Sequence, residues 1–178
     1  MVSHHKQKEV TAFELTKDKC PIGIFGSFKF GRIEHLRGLK DYLNLNNYLA
    51  QISLDLDQHS RDPIFKKPPG YDLKISKNLI NQSNIHIFVF NHESKREHYT
   101  HDSPLIELTL LYSKIESNQI VTPNVLIYMQ KGIENEVGSL LKDLISDKSL
   151  WNPYSYKKLE DIHEHALMSC HNFIEKYR

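Results

Sequence analysis

Glu107 is the residue of this sequence best placed to do chemistry. It falls among Leu105, Ile106, Leu108, Leu110 and Leu111, one turn inside a helical segment opened by Asp102-Ser103-Pro104. A carboxyl group in apolar surroundings resists ionisation, and such a group can act as a nucleophile or as an acid/base residue. A glutamate early in a helix also complements the positive end of the helix dipole, which is an ordinary structural role. Asp102 and Ser103 carry the same double reading. Either can cap the helix, with Pro104 at its first position, and a helix start also offers free N–H groups to an anion.

Three more stretches could build a site around that carboxylate. Gly26-Ser27-Phe28 ends a short apolar run, and a Gly-Ser turn can cradle a phosphate or carboxylate through backbone N–H groups. It lacks the Gly-x-Gly-x-x-Gly spacing of a dinucleotide fingerprint. Asp57, which with Asp55 alternates with Leu54 and Leu56, stands where an acidic residue holds a ribose hydroxyl in nucleotide-binding folds. A solvated strand end is its more ordinary role. Asn91 closes the most apolar run of the chain, so a crevice between the first and third strands would lie beside Gly26, Ser27 and Asn91. Phe28 and Phe30 either border that crevice or block it.

Eleven histidines raise the question of a metal. His92, His98 and His101 follow the third strand, and His163, His165, Cys170 and His171 fall near the C-terminus. None has His-x-x-x-His or Cys-x-x-Cys spacing, so neither a metal nor another cofactor is expected. Cys170 reads as a small buried hydrophobe rather than a nucleophile.

Alternating strands and helices must position these residues. Residues 22–25 form an apolar strand, and 32–45 a helix whose Ile33, Leu36, Leu39 and Leu43 make one stripe. Asn44, Asn46 and Asn47 end it. A second strand is expected at 49–56, then an irregular stretch at 57–70 punctuated by Pro63, Pro68, Pro69 and Gly70. A stretch of that kind is a lid or a disordered linker. A helix at 71–82, a strand at 85–90, a helix at 102–117, a strand at 121–129 and a helix at 134–145 follow. Residues 147–156 read as a turn-rich link and 156–177 as a terminal helix. This order predicts an α/β fold, a three-layer α/β/α sandwich with a flavodoxin-like, mostly parallel sheet of four to five strands. The strand order would begin 2-1-3-4. Residues 1–19 are a polar N-terminal segment, 20–146 the Rossmann-like domain and 147–178 a C-terminal helical extension packed on it.

Composition narrows the function class. With 178 residues the chain can bury one substantial core. Lys and Arg number 23 against 22 Asp and Glu, so no excess of charge draws it to nucleic acid or membrane. Its two cysteines, Cys20 and Cys170, form no framework, and no apolar run nears the roughly 18 residues of a membrane span. The polar start carries no secretory signal, and a cytoplasmic protein is expected.

Three stretches together resemble the nucleoside 2-deoxyribosyltransferase family and its relatives, among them the TIR-type NAD-cleaving domains. They are Ile24-Phe25-Gly26-Ser27, the helix-to-strand passage from Leu79 to Phe90, and Asp102-Ser103-Pro104-Leu105-Ile106-Glu107-Leu108. The resemblance covers about residues 20–130. It implies that Glu107 attacks the anomeric carbon of a ribosyl group, that Asp102 and Ser103 touch the sugar, and that Gly26 and Ser27 form part of the pocket floor. The substrate would be a nucleoside, a nucleotide or an NAD-like molecule, no cofactor would be needed, and the chain would pair as a homodimer. The alternative is a non-catalytic nucleotide-binding or sensing domain with the same crevice. A second resemblance, to nucleotidyltransferases with a His-x-Gly-His signature, fails where Arg32 and Glu34 replace two of its three residues.

Overall fold

The structure is a computed structural model that describes residues 16–28, 32–91, 102–119, 124–133, 139–146, 151 and 153–176. Five strands form one parallel sheet in the order β2-β1-β3-β4-β5. They are β1 (Pro21–Gly26), β2 (Leu49–Ile52), β3 (Ile85–Phe90), β4 (Asn124–Gln130) and β5 (Tyr154–Tyr156). The helices are α1 (Arg32–Leu45), α2 (Ser53–Leu56), α3 (Tyr71–Gln82), α4 (Asp102–Glu116), α5 (Ser139–Ser146) and α6 (Glu160–Lys176). The flavodoxin-like three-layer fold expected from the sequence is the one observed.

Alternation along the strands divides the core into two layers. Ile22 and Ile24 of β1, Ile85, Ile87 and Val89 of β3, and Tyr128 of β4 pack with α1 and α6. Phe25, Phe88, Phe90, Ile127 and Met129 point the other way and pack against Leu79 and Ile80 of α3, Leu108 and Leu111 of α4, and Leu141 of α5. Both faces of the sheet are therefore covered, which is why β3 is apolar at almost every position and buried at all of them. Each such Leu or Ile contributes about 1.5–3 kcal/mol relative to an exposed side chain.

The helices follow their stripes. Leu36, Leu39 and Leu43 of α1 are buried, and Ile162, Ala166, Cys170 and Ile174 of α6 recur every fourth residue on the buried side. Helix α1 stops at Asn46-Asn47, where Asn47 takes a left-handed backbone (φ 66°) and the Tyr48 N–H returns to the Leu43 carbonyl. Asn44 then serves the edge strand: its side chain both accepts from the Ala50 N–H and donates to the Ala50 carbonyl.

Several boundaries differ from the sequence reading, among them the start of the terminal helix, which lies at Glu160 rather than 156, and three differences have a visible cause. Strand β2 ends at Ile52, because the Asp55 carboxylate accepts the Ile52 N–H at 2.8 Å and turns residues 53–56 into a helical turn. The segment read as a turn-rich link supplies the edge strand β5, with Tyr128 paired to Tyr154 and Gln130 to Tyr156. Helix α4 begins at Asp102, so Pro104 is its third residue, still within the turn whose N–H groups lack helical partners. The polar N-terminus up to residue 15, Phe30, the histidines 92, 98 and 101, and residues 121–123 and 134–138 lie outside the described residues.

Candidate active site

All five strands run the same way, so their carboxyl ends share one edge of the sheet, where ligands collect in folds of this kind. A cavity of about 470 Å³ opens there, within the range of small-molecule sites. Ser27 and Phe28 reach it from the end of β1, and Ser53 and Leu54 from the end of β2. Helix α3 contributes Asp72, Leu73, Ile75 and Ser76, and α4 contributes Ser103, Pro104, Ile106 and Glu107. The two sets have identical spacing, which is one helical face seen from the same side. Each helix therefore presents its N-terminal half to the same space.

Glu107 is 4% exposed and has the most perturbed carboxyl group of the site. Burial pushes it up to about 7, and a hydrogen bond from Ser76 opposes that rise without cancelling it. The Ser76 hydroxyl donates to Glu107 Oε1 at 2.6 Å, while Oε2 has no partner among the described residues. A carboxyl group held near neutrality, anchored at one oxygen and free at the other, can change protonation or form a bond without first breaking a strong pairing.

Asp57 also lines the cavity. It accepts the Tyr71 hydroxyl at 2.9 Å and the His59 N–H at 3.0 Å, and pairs with Lys67 Nζ at 3.2 Å. Burial alone would raise this carboxyl, yet the bonds from Tyr71, Lys67 and the His59 N–H outweigh it and hold the group below its ordinary range. Lys67 also bonds Asp72 at 2.7 Å, and its ammonium is held up first by that contact and then by Asp57. His59 stacks on Phe65 beside them, with ring centroids 3.9 Å apart, and the Tyr71 ring is tilted against both. The irregular stretch 57–70 is thus a loop tied by hydrogen bonds and ring contacts, with Asp57 and Lys67 in the cavity lining.

Of the residues singled out in the sequence, Ser27, Phe28, Asp57, Ser103 and Glu107 line this cavity, and Gly26 and Asn91 do not. Gly26 lies buried behind it, where β1 passes close to Leu36 and to the Val89 carbonyl. Asn91 follows β3, and its side-chain oxygen accepts the Tyr156 hydroxyl. Asp102 is the first residue of α4. Ser53, Lys67 and Ser76 escaped the sequence reading. Ser76 left one trace, a polar residue on the stripe that carries Leu79 and Ile80 at the third and fourth positions beyond it.

Other titratable groups lie away from the cavity. His86 is fully buried in β3, bonds the Ile80 carbonyl at 3.0 Å and is driven down to about 4 by burial. Burial likewise pushes Cys20 up to about 11 and raises Cys170; both are free thiols in the α1–α6 layer. Among the described residues, no three His, Cys, Asp or Glu side chains converge as a metal site would require. Nor is any described helix long and apolar enough to cross a membrane.

Strand order and site together define a flavodoxin-like α/β protein with a ligand-sized cavity at the carboxyl edge of its sheet. No protein-family model matches the chain, and no curated protein matches it in sequence. Among solved structures, the CMP N-glycosidase BcmB of Clostridium botulinum is similar in fold, with a TM-score of 0.51 over 83% of this chain and 98% of that one. The two are 11% identical, so the likeness is one of fold.

Proposed function

We propose that this protein cleaves the N-glycosidic bond of a nucleoside or nucleotide, with Glu107 as the nucleophile. The observation that carries this reading is the carboxyl group itself, 4% exposed, with one oxygen anchored and the other without a partner among the described residues, in the wall of a cavity of nucleoside size. The same fold in a CMP N-glycosidase supports it.

In the ionised form, Glu107 Oε2 attacks the anomeric carbon as the bond to the base lengthens. The oxocarbenium character of that transition state carries positive charge, and a buried carboxylate stabilises it far more than one in water would. The base departs and leaves a glycosyl ester on Glu107. Water completes hydrolysis, or a second base completes a ribosyl transfer. Ser27, Ser103 and Asp57, which line the cavity, are the candidates for sugar contacts, and Phe28 offers an apolar face to a base.

The test is chromatographic detection of free base after incubation with a panel of nucleosides, nucleotides and NAD, alongside Glu107→Gln. Release by the parent and a loss of at least about a thousandfold in the variant is the expected result. Release that survives Glu107→Gln removes the nucleophile from this reading. An inactive parent that still binds members of the panel replaces it with the nucleotide-binding alternative.

A further inference from the structure

Helices α3 and α4 meet at one buried polar contact beside the cavity, the 2.6 Å bond from Ser76 Oγ to Glu107 Oε1. Ser76 is 8% exposed and Glu107 4%, so water does not compete for this bond as it would at the surface. The partners come from different helices, 31 residues apart in sequence, and the bond therefore depends on how α3 is seated. That seating begins at its first residue, Tyr71, whose hydroxyl is held by Asp57. A glutamate side chain with no such anchor would sample several rotamers within a cavity of this size.

We infer that Ser76 is a positioning residue for Glu107: its hydroxyl fixes one carboxylate oxygen and leaves the other to meet the substrate. The inference rests on the glycosidic reading above and adds a residue from the neighbouring helix to it. Two consequences follow from the chemistry of the bond. The hydroxyl donates to the carboxylate and so favours the ionised, nucleophilic form against burial. It also holds one rotamer, so its loss should act on turnover more than on substrate affinity. Asp57, Lys67 and Asp72 share the cavity, but what shifts the Glu107 carboxyl is burial, which raises it, and the Ser76 bond, which lowers it.

The experiment compares the parent, Ser76→Ala and Ser76→Thr, each with glutamate labelled at the side-chain carboxyl carbon. The Glu107 resonance is identified by its absence in Glu107→Gln and followed by NMR from acid to alkaline pH. Its midpoint should move to higher pH in Ser76→Ala and return toward the parent in Ser76→Thr, which keeps a hydroxyl. In the base-release assay, Ser76→Ala should lose on the order of tenfold to a hundredfold in kcat with KM little changed, and the acid limb of its pH profile should move up with the NMR midpoint. A Glu107 midpoint identical in parent and Ser76→Ala overturns the inference whatever the assay shows. A parent with no base release on any substrate fails the glycosidic reading instead, and the titration separates the two failures.

Discussion

Asp57, at the end of α2, and Tyr71, the first residue of α3, are joined by a 2.9 Å hydrogen bond that closes the loop between them over the rim of the cavity. Lys67 draws the middle of the loop to the same carboxylate. Tyr71→Phe removes one of these ties and Asp57→Ala all of them. Trypsin should therefore cut after Arg61 and Lys66 roughly threefold to tenfold faster in Tyr71→Phe, the factor expected for one lost hydrogen bond, and faster still in Asp57→Ala. Cleavage rates unchanged in both variants would show that the clasp does not hold the loop.

Glu107 gives stability a pH dependence whose sign can be worked out. Its carboxyl keeps a proton up to about 7 in the folded state, against 4.5 when unperturbed. Between those values the folded protein holds more protons than the unfolded chain, so stability falls as pH rises through this window. The loss at pH 8 is at most about 3 kcal/mol, from the shift and 1.36 kcal/mol per unit. Glu107→Gln abolishes that loss. Urea unfolding of both proteins should show the variant gaining on the parent from pH 4.5 to pH 8, with the His86 contribution cancelling because both carry it. A stability difference that does not vary with pH would mean that Glu107 ionises normally.

What could be read from the sequence, and what could not, follows from the range of the interactions. Ile22, Ile24 and Phe25 announce a buried strand, and Leu36, Leu39 and Leu43 a helix, because each pattern is repeated within one element. Glu107 is legible for the same reason, as a charge set in an apolar helix. Strand β5 is not, since three residues hold no period and Tyr154–Tyr156 pairs only because β4 offers it an edge. Residues 53–56 mislead: Leu54 and Leu56 alternate as in a strand, but the side chain of Asp55 folds back onto the Ile52 N–H. Ser76 and Lys67 gain their meaning from partners distant in sequence, Glu107 for one and Asp57 for the other, and no local pattern marks such a pairing.

Gly26 offers a test of how tightly the sheet is packed behind the cavity. A methyl group added there would lie 2.8 Å from Leu36 Cδ2 and 3.1 Å from the Val89 carbonyl oxygen. Leu36 is itself in the core, and Val89 is backbone of the neighbouring strand paired with Gly26, so neither can step aside cheaply. Gly26→Ala should cost roughly 1–3 kcal/mol in urea unfolding, the usual range for overpacking. Gly38→Ala is the control: nothing lies within 4 Å of the added methyl in the middle of α1, and the helix should gain about 0.5–1 kcal/mol. Because Ser27 and Phe28 follow directly and line the cavity, strain relieved by shifting the end of β1 would appear as a raised KM in the base-release assay. Stability loss with KM unchanged would show that Leu36 and β3 absorb the methyl and that the cavity wall stays in place.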